Sequence, residues 1–142
     1  MFRLFIISAL LIARAHPSPS PTATPSLAPE NPAITAIARH EFVAVQVGVI
    51  DKNHYSPEAA QALTADAVDN MSKALSSYGA LVKTEWLGTF LVLGAPAGVT
   101  GYTYKMDCSA GSIYEQLMIG PDGKIDSIDF RKTLGKESPA PG

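Results

Sequence analysis

Apolar residues recur at every third or fourth position up to Tyr78 and at every second position beyond it. The first period is that of a helix with one buried face, the second that of a half-buried strand. Asn31-Pro32 opens the first helix, an N-cap side chain followed by proline at the first helical position. Ile34, Ile37, Ala38, Phe42, Val45 and Val49 form its apolar face. Arg39, His40 and Glu41 fall near the edge of that face, and Gly48 is the expected stop. Ser56-Pro57-Glu58 starts a short second helix reaching about Leu63. Thr64-Ala65-Asp66 starts a third, with Val68, Met71, Leu75 and Tyr78 as its buried stripe and Gly79 as its cap.

After Gly79, Leu81 to Leu93 reads as a strand with a bulge at Gly88. A turn over Gly94 to Gly98 leads to a second strand, in which Tyr102, Tyr104, Met106 and Cys108 alternate with Gly101, Thr103, Lys105 and Asp107. Ser109-Ala110-Gly111 turns the chain into a third strand, Ser112 to Ile119. Pro121-Asp122-Gly123 is a tight turn, and Ile125 to Lys132 is the last strand, with Ile128 and Phe130 inward. Helices followed by a strand meander predict an α+β fold, N-terminal helices packed on a curved antiparallel sheet of about four strands.

The first 32 residues follow neither period. Met1-Phe2-Arg3 is a short positive start, Leu4 to Ala13 is apolar except for Ser8, and Ala13-Arg14-Ala15 has the small-x-small form of a signal-peptidase site. Residues 1–15 are therefore expected to be a signal peptide cut after Ala15, which makes the protein secreted or periplasmic. An uncleaved anchor is the alternative, but a spanning helix wants about 20 apolar residues and this run is much shorter. No membrane span is expected after cleavage. Residues 16–32 carry Pro17, Pro19, Pro21, Pro25, Pro29 and Pro32 among Ser, Thr and Ala, the composition of an extended, disordered tether. The α+β domain is expected over 33–134 and a disordered tail over 135–142.

The formal charge of the 142-residue chain is −2. Loss of Arg3 and Arg14 leaves nine basic residues against 13 acidic ones, a net −4. A nucleic-acid partner would require a basic stripe, so none is expected. Cys108 is the single cysteine. It excludes an intrachain disulfide and reads as a small buried hydrophobe on a strand.

Candidate chemistry is sparse. Asp107 and Glu115 lie on adjacent strands across the Cys108–Gly111 turn and read either as an acid/base pair or, more plainly, as a solvated face opposite Tyr102, Tyr104 and Met106. Tyr114 and Gln116 alternate with Glu115 and are placed on the other face. Tyr102, Tyr104, Tyr114, Glu115, Asp107 and Trp86 are the candidate ligand-pocket residues. Trp86, with Leu87, Phe90 and Leu91, also reads as core or as a dimer face. His40 and His54 lack the paired spacing of a metal site, and Asp51, His54 and Glu58 read as an inter-helix loop with an Asp51 turn hydrogen bond. No metal, no cofactor and no catalytic residue is expected. Gln46-Val47-Gly48-Val49 has its glycine in the wrong place for a cystatin-type inhibitory loop.

The segments Gly48 to Leu63, Thr64 to Gly79 and Gly120-Pro-Asp-Gly-Lys-Ile125 resemble small exported domains of the nuclear-transport-factor-like, cystatin-like α+β superfamily. Such domains occur alone or fused ahead of secreted serine hydrolases. The resemblance implies a curved sheet wrapped around helices as a cone with a pocket at its open end. In its ketosteroid-isomerase-like enzymes a first-helix Tyr acts with paired acids. The segment from Ile34 to Val47 contains no Tyr, so no catalytic residue carries over. The expected function is a non-catalytic exported domain binding a small apolar or peptidic ligand or an envelope protein. An isomerase-, dehydratase- or cyclase-like enzyme is the alternative, and a structural or assembly module, with a homodimer as one form, is the third.

Overall fold

A computed structural model describes residues 28–134. The expected signal peptide and its cut after Ala15, most of the tether and the tail over 135–142 lie outside the described residues.

Helix α1 spans Pro32–Val47. Asn31 Oδ1 accepts from Ala33 N at 3.0 Å, and Gly48, at φ 77°, ends the helix in the left-handed conformation that glycine adopts without a Cβ penalty. A single 3-10 turn follows at Lys52–His54, its start fixed by Asp51 Oδ1, which accepts from Asn53 N. Helix α2 (Pro57–Ala62) and helix α3 (Ala65–Ser76) are capped by Ser56 and Thr64. The sheet consists of β1 (Leu81–Phe90), β2 (Thr100–Cys108), β3 (Gly111–Ile119) and β4 (Ile125–Arg131). Its order is β1-β2-β3-β4, antiparallel throughout. The α+β class and the bulge beside Gly88 are as expected. No helix among the described residues is long and apolar enough to cross a membrane.

Helix α1 supplies Ala38, Phe42 and Val45 to the core, and α3 supplies Leu75. They meet Tyr104 and Met106 of β2, Ile113, Leu117 and Ile119 of β3, and Ile125 of β4. Burying a large apolar side chain of this kind contributes roughly 1.5–3 kcal/mol each. The α1–α2 connection is tied to the sheet where Ser56 N donates to Ile125 O at 2.9 Å and Tyr55 bridges Ile125. That tie brings the 3-10 turn against the β3–β4 turn.

Four local expectations change. Strand β1 stops at Phe90, its last pair being with Gly101, instead of Leu93, and Leu91 to Leu93 lie outside the ladder and are exposed. Ser77 caps α3, while Gly79 (φ 78°) turns the chain into β1. Val49 lies beyond the Gly48 cap, off the helix face, and is exposed. Glu41, expected at the edge of the apolar stripe, is 1% exposed.

Candidate functional site

Glu41 occupies the third-residue step from Ala38 toward Val45, so the helix carries its carboxyl under the protein surface among apolar neighbours. Tyr55, placed by the bridge to Ile125, donates its hydroxyl to Glu41 Oε2 at 2.7 Å. His54, the residue before it, sets Nδ1 2.7 Å from Glu41 Oε1, and His40 Nδ1 lies 3.2 Å from the same oxygen. A carboxylate oxygen accepts, so a hydrogen bond to it from either ring uses the form that carries hydrogen on Nδ1. The two imidazoles meet edge to face, with ring centroids 5.5 Å apart. His54 Nε2 points back to Asp51 Oδ2 at 3.7 Å. Burial, followed by the hydrogen bond to Glu41 and its charge, raises the Tyr55 phenol far above its ordinary range, so Tyr55 is a fixed donor.

Above this cluster lies an open cleft of about 470 Å³, floored by Ala36, Ile37 and Glu41 and walled by His40 and His54. Asn53, Asp122, Gly123 and Lys124 complete it. Gly123 adopts φ 79° in the β3–β4 turn, and Lys124 Nζ donates to Asn53 O at 2.7 Å, pinning that turn to the 3-10 segment. A second cleft, of about 510 Å³, lies between α3 and the sheet and is mostly apolar, with Met71, Tyr78, Ile113 and Phe130 among its walls.

The six residues expected at a pocket line neither cleft. Trp86, Tyr102 and Tyr104 instead stack on the inner sheet face, with Trp86 centroids 5.2 Å from Tyr104 and 5.9 Å from Tyr102. Tyr104 is fully buried, its hydroxyl 3.2 Å from Thr35 Oγ1, and Trp86 Nε1 donates to Ala28 O. Trp86 is therefore partly buried against the core. Tyr114 lies on the outer face, paired across strands with Lys105 and Arg131.

Asp107 and Glu115 do not meet. Asp107 is on the outer face, where the Ser112 hydroxyl donates to it at 2.6 Å and Lys105 Nζ lies 3.5 Å away. The Ser112 bond, with Lys105 and Lys83 adding their charge, lowers its carboxyl below the ordinary aspartate value. Glu115 is the correction to the expected solvated face. It pairs with Tyr104 on the inner face, is 0% exposed, and neither carboxyl oxygen has a hydrogen-bond partner among the described residues. Burial, and secondarily the charge of Glu41, push its carboxyl well above the ordinary value.

Sequence reasoning missed Glu41, Tyr55 and the approach of His40 to His54. One signal was available: a charged residue inside the Ala38–Phe42–Val45 stripe is out of pattern for a structural helix. Against known proteins, the chain matches no family model, no curated protein and no solved structure.

Proposed function

We propose that this is an exported domain that binds a small zwitterionic or peptidic ligand in the cleft over Glu41. The superfamily resemblance and the N-terminal leader support export and a binding role. The observation that carries the site is the buried Glu41 carboxylate, held from behind by Tyr55 and flanked by two imidazoles that line an open cleft. Polar groups converging on a partly apolar concavity are the usual form of a small-ligand site. Lys124 and Asp122 put opposite charges on its rim, which suits a ligand bearing both an ammonium and a carboxylate. The test is a nitrogen-15 amide titration with free amino acids and dipeptides. Shifts confined to Asn53, His54, Gly123 and Lys124 are expected. Shifts centred on Met71 and Tyr78, or none, would move the site or remove the reading.

An acid–base enzyme is the second reading. It draws support from Glu41 and Glu115, two carboxyls whose surroundings differ sharply, one hydrogen-bonded and the other buried without a partner among the described residues. It needs Glu115 to reach a substrate, and Glu115 lines neither cleft. Turnover by the purified protein that is lost in Glu115→Gln while the fold survives would favour it over binding alone.

A further inference from the structure

We infer that His40, Glu41 and His54 form a site for a divalent transition-metal ion, zinc by preference, at the floor of the cleft. The inference rests on reading the cleft as the ligand site and names the group to which a ligand would bind.

Among the described residues these three side chains place one donor atom each within 4.8 Å of one another. Two imidazole nitrogens and a carboxylate oxygen are the donors that suit zinc, and three protein ligands leave a fourth position open. All three side chains line the cleft, so water or a ligand group entering it would complete the shell. With bonds of about 2.0–2.2 Å, tetrahedral donors stand roughly 3.4 Å apart. The present contacts to Glu41 Oε1 are 2.7 and 3.2 Å, so an entering ion has to open them by less than about 1 Å. Both histidines are substantially exposed and free to make that adjustment, whereas Glu41 is fixed.

Two further features point the same way. The first is charge. Glu41 is buried, and its ion-pairing partners His40 and His54 are cations only when protonated. A buried carboxylate without a fixed counter-charge is costly, and a divalent ion bonded to Oε1 removes that cost. The second is the outer layer. Metal-bound carboxylates and imidazoles are ordinarily held on their far side by a hydrogen-bonding group. Here Tyr55 holds Glu41 Oε2 at 2.7 Å, and Asp51 Oδ2 lies 3.7 Å from His54 Nε2, the nitrogen left over when Nδ1 binds. On binding, a neutral ring moves its proton from Nδ1 to Nε2 with no net release, and a charged ring gives up one proton to solvent.

The test is calorimetric titration of the chelator-stripped full chain with zinc chloride, repeated on His40→Gln, His54→Gln and a His16→Gln control. Circular dichroism checks that each variant is folded. The expected result is one zinc per chain, with affinity weakened at least about tenfold in either cleft variant and unchanged in the control. Loss of zinc binding in the His16→Gln control alone would place the ion at His16, outside the cleft, and overturn the assignment, as would no binding at all. Amino-acid shifts at Asn53 and Lys124 in stripped protein that binds no zinc would sink this inference while leaving the cleft reading intact. Zinc binding without any such shifts, in the presence or absence of the ion, would do the reverse.

Discussion

Replacing Glu115 by glutamine should stabilise the protein at neutral pH. The carboxyl is sealed between Ile113 and Leu117 on the inner sheet face, opposite Tyr104, and accepts no hydrogen bond from the described residues. Its folded-state value is raised well above the ordinary 4.5. A raised acid binds its proton more tightly in the folded than in the unfolded chain. Its contribution is therefore fully present below about pH 4.5 and declines as pH rises toward the folded value. Each unit by which the folded value exceeds the unfolded one costs about 1.4 kcal/mol once the pH has passed both. Glutamine matches the volume, cannot ionise, and leaves a comparably unpaired polar group, so the remaining burial cost largely cancels. Urea unfolding of both proteins from pH 4 to pH 8 isolates the effect, because other titrating groups are common to the pair. A gain near zero at pH 4 that grows with rising pH by at most about 1.4 kcal/mol per unit, with a matching rise in the urea midpoint, is expected. A difference independent of pH, or a less stable variant at pH 7, would show that Glu115 is hydrated or paired.

Further predictions concern single contacts. Tyr55→Phe leaves Glu41 Oε2 without its donor in a buried site and should cost about 1–3 kcal/mol in urea unfolding; a loss under about 0.5 kcal/mol would mean that the bond is not formed. Asp107 should titrate below the usual aspartate range by carbon-13 NMR, and Ser112→Ala should bring it back up. Because a lowered acid stabilises the fold above its unfolded value and loses that contribution on acidification, Ser112→Ala should also flatten the acid limb of the stability curve. Gly101→Ala would set a Cβ 2.6 Å from the Phe90 ring and should destabilise by about 1–3 kcal/mol. Adding Phe90→Ala should recover part of that loss, and an additive double variant would refute the clash.

The architecture was readable because each boundary residue acts locally. Asn31, Ser56 and Thr64 cap the helix that follows them, and Pro121-Asp122-Gly123 turns on its own dihedral preferences. The face assignment of β3 was also within reach. A two-residue turn at Ser109-Ala110 pairs Cys108 with Gly111, so Met106 meets Ile113 and Tyr104 meets Glu115 on one face. Reading Glu115 as solvated followed from its charge and ignored that register. The cluster around Glu41 was harder to see. His40 and Glu41 are adjacent on a helix, His54 and Tyr55 lie 13 and 14 residues beyond Glu41, and long-range ties of the intervening segment to the last hairpin hold the second pair beside the first. Local spacing rules for metal ligands do not pair a helix with a separate 3-10 turn, and this constellation draws on both.

The most direct measurement is an anomalous difference map at the zinc edge from crystals of the purified protein grown with zinc. A peak bonded to His40 Nδ1, Glu41 Oε1 and His54 Nδ1, with its fourth ligand in the cleft, is the predicted result. A featureless map at that position, or a peak on other side chains, would contradict the account.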